Sequence, residues 1–157
     1  MSEKKDAAAS TADREISITR FFDAPRELMW KVWTEPNHIA HWWGPKGFTN
    51  TIHAMDVKPG GVWDFIMHGP DGVDYPNKVY YHEVKKPKRL FYDHGKPGES
   101  SYFQVTVTFE NAGGKTKLTM TMLFTTAEER NLVAEKYGAV EGLKQNMEKL
   151  SEYLAKM

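Results

Sequence analysis

Phenol, imidazole and carboxylate side chains gather in the middle of the chain, on two stretches typical of neighbouring strands. Residues 80–83 are Tyr-Tyr-His-Glu, and Tyr92 and His94 lie in the next stretch. If one set faces the interior, it could orient a ligand or perform general acid–base catalysis. Tyrosines at a strand surface are the simpler interpretation, and the alternation does not decide between the two. We predict that Tyr81 and Glu83 point inward.

Metal chemistry has one candidate pair of ligands. His38 and His41 lie three residues apart on a predicted short helix, a spacing that can present two ligands on one face. No third ligand is evident nearby, and the chain contains no cysteine, so we predict solvated histidines and no metal. His53, Asp64 and His68 are predicted on the outer face of the sheet, away from any cavity.

Motifs for covalent catalysis or nucleotide binding are absent from the sequence. No serine lies in a Gly-x-Ser-x-Gly turn, and no glycine-rich dinucleotide or phosphate loop occurs, so we predict no diffusible cofactor. The balance of 21 Lys and Arg against 21 Asp and Glu provides no net basic field for nucleic acid. The one basic run, Lys85–Arg89, is typical of a solvated turn.

The length of 157 residues suits one domain. Residues 1–13 are mostly small and polar, which predicts a disordered tail, and residues 14–157 form one continuous domain without repeats or linkers. No apolar run is long enough to span a membrane, and the N-terminus has no apolar signal-peptide core, so we expect a cytoplasmic protein. We expect this protein to be a monomer or a homodimer.

A predicted antiparallel sheet positions the residues that could carry chemistry. Glu15–Phe22 alternates and predicts a first strand. Pro25 begins a helix, and Pro36 begins a second short helix that ends before Gly44. From residue 48 to residue 124 the pattern favours antiparallel strands.

Two turns predict the registers of two hairpins. The turn at residues 58–61 predicts two inward pairs: Ala54 with Phe65, and Ile52 with Met67. The turn at residues 111–114 predicts three: Val107 with Leu118, Val105 with Met120, and Phe103 with Met122. In both hairpins apolar residues lie opposite apolar residues, so one face of the sheet is expected to be buried.

A helical region closes the chain. Residues 125–129 have the pattern of a capping box, and Tyr137-Gly138 is predicted to interrupt the region. The last helix carries an apolar stripe: Val140, Leu143, Met147, Leu150 and Leu154. The order of elements predicts an α+β fold. A curved antiparallel sheet of about seven strands, with two short helices, is covered on its apolar face by one long C-terminal helix.

Three motifs in these elements carry a resemblance to a known family. Residues 24–33 (APRELMWKVW), 41–49 (HWWGPKGFT) and 58–63 (KPGGVW) resemble the family named after the activator of the 90-kilodalton heat-shock-protein ATPase. That family belongs to the START-like, or SRPBCC, superfamily with a helix-grip fold. The resemblance extends over residues 15–155, almost the whole chain.

The resemblance implies a hollow between the sheet and the last helix, suited to a small apolar or aromatic molecule. Superfamily members bind lipid-like, polyketide-like or flavonoid-like molecules, or act as cyclases. Two residues depart from the family pattern: Lys58 stands where arginine is commoner, and Leu143 stands where tryptophan is usual, which reshapes the cavity floor. The residues expected to contact a ligand are Ile52, Trp63, Phe65, Met67, Tyr81, Glu83, Phe103, Val105, Met120, Met122, Leu143 and Met147.

Three alternatives to ligand binding stay open at this point. The same residues could form an ordinary packed core, which periodicity alone favours. The cavity could house an acid–base cyclase or hydrolase, although no catalytic residue is assigned. The domain could also be a co-chaperone-like interaction module. Trp42, Trp43 and Pro45 could gate the cavity mouth, anchor a partner or pack against the sheet. We expect ligand binding rather than catalysis.

Overall fold

The computed structural model describes residues 13–95, 103–136 and 138–157. Residues 1–12 of the predicted tail, and Tyr137 of the predicted helix interruption, lie outside the described residues. The described strands are β1 (Glu15–Phe22), β2 (Thr49–Met55), β3 (Val62–His68), β4 (Asp74–Lys85), β5 (Arg89–Gly95), β6 (Phe103–Ala112) and β7 (Lys115–Leu123). The described helices are α1 (Arg26–Thr34), α2 (Pro36–Ile39), α3 (Ala127–Lys136) and α4 (Ala139–Ala155).

The strands form one antiparallel sheet in the order β1-β7-β6-β5-β4-β3-β2. Consecutive strands from β2 to β7 are neighbours, and β1 pairs with β7, with Ile16 opposite Met122. This arrangement confirms the predicted α+β fold with a curved seven-stranded sheet and a long C-terminal helix. No helix in the described part of the chain is both long and apolar enough to cross a membrane.

The helix starts follow from local signals in the sequence. Pro25 is the N-cap of α1, immediately before the first helical residue, where its missing N–H leaves no hydrogen bond unmade. Pro36 is itself the first residue of α2, with Glu35 as the N-cap. At α3 the Oγ1 of Thr126 accepts the backbone N–H of Glu129 at 3.0 Å, which is the N-cap half of the predicted capping box, and the Glu129 carboxylate accepts the backbone N–H of Thr125 at 3.4 Å.

The β6–β7 hairpin keeps the predicted face but not the predicted register. Val105 lies opposite Met122 and Val107 opposite Met120, so each pairing is two residues away from the prediction. The turn contains only two residues, Gly113 and Gly114. Both have positive φ (64° and 87°), as a two-residue type I′ turn requires. Because side chains alternate with a period of two, this shift leaves the apolar residues on the inner face.

The β2–β3 hairpin departs from its predicted register for a different reason. Ile52 lies opposite Phe65, not Met67, and a bulge between Ile52 and Ala54 then places Ala54 opposite Asp64. Ala54 is exposed, so its predicted inward pairing with Phe65 is wrong. A bulge inserts one extra residue into a strand and therefore moves every later side chain to the other face.

Aromatic side chains from α1 and the turn after α2 fill one part of the interior. Trp33 packs edge-on against Trp42, with ring centroids 4.9 Å apart, and Trp63 stacks on Phe65 at 4.0 Å. Edge-to-face and offset-stacked contacts of this kind stabilise beyond the area that they bury. We define the packed half of the interior by five side chains that are exposed by 2% or less: Trp33, Trp42, Trp63, Phe65 and Phe109.

Candidate functional site

Further along the same face of the sheet, the side chains leave an apolar cavity of about 190 Å³. The sheet contributes one wall, and its residues come from four strands: Met67, His94, Phe103, Met120 and Met122. The start of α4 and the turn after α2 contribute the other wall. We call the interior around this cavity the hollow half.

Small residues on α4 make room for the cavity. Ala139 and Gly142 of α4 line the cavity together with Gly138, the N-cap of the helix, and Leu143 adds the one bulky apolar side chain from α4. At Gly142 an added Cβ would lie 3.4 Å from Cγ of Pro45, an ordinary van der Waals contact. An alanine would therefore fit there. The space beside α4 exists because these residues have small side chains or none, and not because the backbone is strained.

The turn after α2 is held against α4 by Asn146. Its Oδ1 accepts the backbone N–H of Gly44 at 2.7 Å, and its Nδ2 donates to the carbonyl oxygen of Trp42 at 3.3 Å. Gly44 has a φ of +93°, and a Cβ there would lie 2.8 Å from Cε of Met67. The backbone conformation favours a glycine at this point, whereas the flexible end of Met67 could move away from an added Cβ.

Lys149 makes a second connection between α4 and the same turn. Its Nζ donates to the carbonyl oxygens of Trp43, Pro45 and Phe48, at 3.4, 3.2 and 3.2 Å. Burial lowers the pKa of Lys149, yet three carbonyl acceptors match the three donors of an ammonium group. The mouth of the cavity is thus built from a loop whose backbone polar groups bond to the long helix.

His94 is the titratable residue in the cavity wall. It is 9% exposed, and its ring contacts the Phe103 ring with a centroid distance of 5.0 Å. Its Nε2 lies 3.0 Å from Oδ1 of Asn77. Burial lowers the pKa of His94 to about 4, because removing the ring from water disfavours the charged form. The cavity therefore presents a neutral imidazole at physiological pH.

Five of the residues predicted from the sequence line the cavity: Met67, Phe103, Met120, Met122 and Leu143. Six others lie on the inner face of the sheet or of α4 but do not line it: Ile52, Trp63, Phe65, Tyr81, Val105 and Met147. Trp63 is covered by Trp43 from the turn after α2, with ring centroids 5.1 Å apart, and Phe65 stacks on Trp63 at 4.0 Å. Both residues are buried among other rings and do not border the cavity.

The prediction that Glu83 points inward together with Tyr81 is wrong. Tyr81 lies opposite Tyr92, and both are buried, but a bulge at His82 places Glu83 opposite Phe91 on the outer face. There the Glu83 carboxylate accepts the Nε–H of Arg89 at 2.6 Å. Glu83 is therefore far from the cavity chemistry that was expected of it.

The cavity residues that the sequence reasoning did not select come mainly from loops and helix starts: Trp43, Gly44, Pro45, His94, Gly138, Ala139, Gly142 and Asn146. Trp43 and Pro45 were candidates for the mouth, and His94 belonged to the polar cluster. The sequence of α4 contains one further signal for these residues: an asparagine and small residues interrupt the apolar stripe on the inner side of the helix.

Four of the five histidines outside the cavity have partners of their own: His38, His41, His68 and His82. His38 Nδ1 lies 2.7 Å from the Tyr153 hydroxyl, and His41 stacks on the same ring. On the outer face, His68 bonds to the hydroxyl of Thr51 and to the carboxylate of Asp74, each at 2.7 Å. Across the described ranges, no three histidine or acidic side chains are grouped so that they could hold a metal ion.

Fold and sequence together place the chain in a known class. The antiparallel sheet gripping a long C-terminal helix is the START-like, or SRPBCC, fold that the motifs predicted. Residues 23–155 match the model of the family described as Activator of Hsp90 ATPase homolog 1-like protein, and the chain belongs to that family. No protein of curated function matches the chain.

Solved structures share the whole architecture. The solution NMR structure of a protein from Arthrobacter aurescens matches with a TM-score of 0.86 at 24% identity, over 94% of this chain and 89% of that one. A crystal structure from Mycobacterium smegmatis matches with a TM-score of 0.83 at 24% identity, over 93% and 94%. One from Nitrosomonas europaea matches with a TM-score of 0.81 at 25% identity, over 92% and 96%. At these identities the likeness shows the shared fold.

Proposed function

We propose that this domain binds a small, predominantly apolar aromatic molecule in the hollow half. The observation that carries the proposal is the cavity of about 190 Å³ between the sheet and α4, with methionine, phenylalanine and leucine side chains in its wall. Met67, Met120 and Met122 have flexible, polarizable side chains that adapt to the shape of a guest. The superfamily resemblance, whose members bind lipid-like and aromatic molecules, supports the same conclusion.

The size of the cavity narrows the ligand class. An engineered apolar cavity of about 150 Å³ stays dry and binds benzene, whereas pockets for drug-sized ligands occupy about 300–1,000 Å³. A cavity of about 190 Å³ therefore suits one aromatic ring, or two fused rings. Larger lipid-like, polyketide-like or flavonoid-like molecules would extend beyond the cavity or require the wall to move.

The polar groups favour binding over acid–base catalysis. With its pKa lowered to about 4, His94 is a weak base near neutral pH, whereas an efficient general base has a pKa near the working pH. Glu83, the other candidate, lies on the outer face in an ion pair with Arg89. The hydroxyl of Tyr92 is sealed from solvent and does not line the cavity, and burial raises its pKa well above its usual range.

Calorimetry with benzene, toluene and naphthalene tests the proposal. We expect saturable binding with one site and a dissociation constant on the order of 0.1–1 mM, since few heavy atoms are buried and each contributes well under the known ceiling of about 1.5 kcal/mol. Leu143→Trp should weaken toluene binding about 100-fold or more, because the added ring occupies the space that toluene needs. Absence of saturable heat for all three probes would contradict the proposal.

Val140→Trp is the matched control. Val140 lies on the same helix, three positions before Leu143, but it is 38% exposed and does not line the cavity. The control introduces the same bulky residue into α4 without filling the hollow half, so toluene should bind it as it binds the wild type. Equal loss in both variants would point to a general disturbance of α4. Circular dichroism of both variants checks that the fold is kept.

A further inference from the structure

The proposed function leaves the buried imidazole of the cavity wall without a role. We infer that His94 makes the cavity selective for small aromatic molecules that carry a hydrogen-bond donor, such as a phenol. This inference rests on the proposed ligand binding and specifies which ligand the same cavity prefers. It is carried by the hydrogen bonds that orient His94 and by the position of the ring in the cavity wall.

The hydrogen bonds of Asn77 determine which nitrogen of His94 carries the proton. Asn77 Nδ2 donates to the carbonyl oxygen of Tyr75 at 2.9 Å, so Oδ1 is the side that faces His94. An amide oxygen can only accept, and His94 Nε2 must therefore donate to it. In a neutral imidazole the other nitrogen, Nδ1, then carries a lone pair and can only accept.

Nδ1 of His94 is available to a guest. Among the described residues, His94 Nδ1 has no hydrogen-bond partner, whereas Nε2 is bonded to Asn77. His94 lines the cavity, so Nδ1 is the ring nitrogen that we assign to a guest. The ring is held between aromatic neighbours, with Phe103 at 5.0 Å and Phe65 at 6.0 Å between centroids, so it cannot turn away freely.

The other polar side chains of the wall are either a donor or already bonded to the turn after α2. Both ends of the Asn146 amide are used, by Gly44 and by Trp42. The indole of Trp43, which also lines the cavity, can only donate. An acceptor that faces an otherwise apolar space costs free energy unless a guest donates to it. A phenol, an aniline or an indole can donate, whereas an ether or an unsubstituted ring leaves Nδ1 unpaired.

Three matched probes test this selectivity: toluene, 4-methylphenol and 4-methylanisole. By calorimetry at pH 7.5 we expect the wild type to bind 4-methylphenol about fivefold or more tightly than 4-methylanisole, a difference typical of one buried hydrogen bond. In His94→Phe, which keeps a ring of similar shape without the acceptor, the ratio should fall to about one. The difference in size between the probes is common to both proteins and cancels in the comparison.

A measurement on the wild type removes any dependence on how the variant folds. With the imidazoles labelled with ¹⁵N, the Nδ1 resonance of His94 should shift when 4-methylphenol is added and stay in place with toluene. The same 4-methylphenol preference in His94→Phe, or an unchanged Nδ1 resonance in the presence of bound 4-methylphenol, would overturn the inference and leave the proposed function intact. Failure of all three probes to bind, toluene included, would overturn both.

Discussion

The two halves of the interior are built on one sheet face by the same alternation of apolar residues, yet one is solid and the other is not. In the packed half, Trp63 contacts the indole ring of Trp43 from the turn after α2, and Phe65 stacks on Trp63. In the hollow half, Met120 and Met122 face Gly142 and its small neighbours on α4. Strand alternation thus determines which face is buried, whereas the volume of the opposing side chains determines whether space remains.

Truncation in each half gives the largest expected contrast. Trp63→Ala should lower the free energy of unfolding by about 4 kcal/mol, because it opens a new void among rings that are in contact. Met122→Ala should cost only about 1 kcal/mol, since Met122 is half-buried and already borders open space. Urea unfolding of both variants measures the difference. Equal losses would show that the two halves are packed alike.

Acid should destabilise the fold through His94. The pKa of His94 is lowered to about 4 in the folded protein, from an ordinary value near 6.5. Above pH 6.5 both states are neutral, and no stability is lost. Between pH 6.5 and 4 the unfolded chain binds a proton that the folded protein excludes, so the free energy of unfolding falls as pH falls, by about 2 kcal/mol from pH 7 to pH 5.

Comparison with His94→Phe isolates this contribution from other titrating groups. Urea unfolding at pH 7 and pH 5 should show a smaller loss in the variant than in the wild type, by about 2 kcal/mol. The fold should remain intact at pH 7, where the wild-type ring is already neutral. If the two proteins lose the same stability over this range, His94 is not held neutral by burial.

Filling the helix side of the cavity should have a small effect of opposite sign. Gly142→Ala should raise the free energy of unfolding by about 0.5–1 kcal/mol, because alanine is the better helix former and its Cβ meets only Cγ of Pro45 at 3.4 Å. The same change should weaken toluene binding severalfold, as the methyl group enters the hollow half. If Gly142→Ala stabilised the fold without weakening toluene binding, Gly142 would not border the space in which toluene binds.

Much of the fold could be predicted because it depends on local patterns. The alternation in β1, the proline at the start of α1 and the capping box before α3 are each decided by neighbouring residues. The registers were missed by two residues where the turn proved shorter, at Gly113-Gly114, or where a bulge intervened beside Ile52. Bulges depend on contacts between strands, and no local pattern marked the bulge beside Ile52 or the one at His82.

The site was predictable only in part for the same reason. Met67, Phe103, Met120 and Met122 were selected because alternation assigns them to the inner face, and the structure places them in the cavity wall. Trp63 satisfies the same alternation but is covered by Trp43, a residue far from it in sequence. Whether an inward residue meets a ring or a void depends on chain segments that the strand pattern does not contain.

Methyl NMR of the methionines tests the central claim most directly, because methionines occur in both halves and on the surface. With ¹³C-labelled methionine methyls, titration with toluene should produce saturable shifts at Met67, Met120 and Met122. Met29, which is buried but does not line the cavity, should not move. Shifts limited to the exposed Met157, or no saturable shift at any methionine, would contradict a binding cavity in the hollow half.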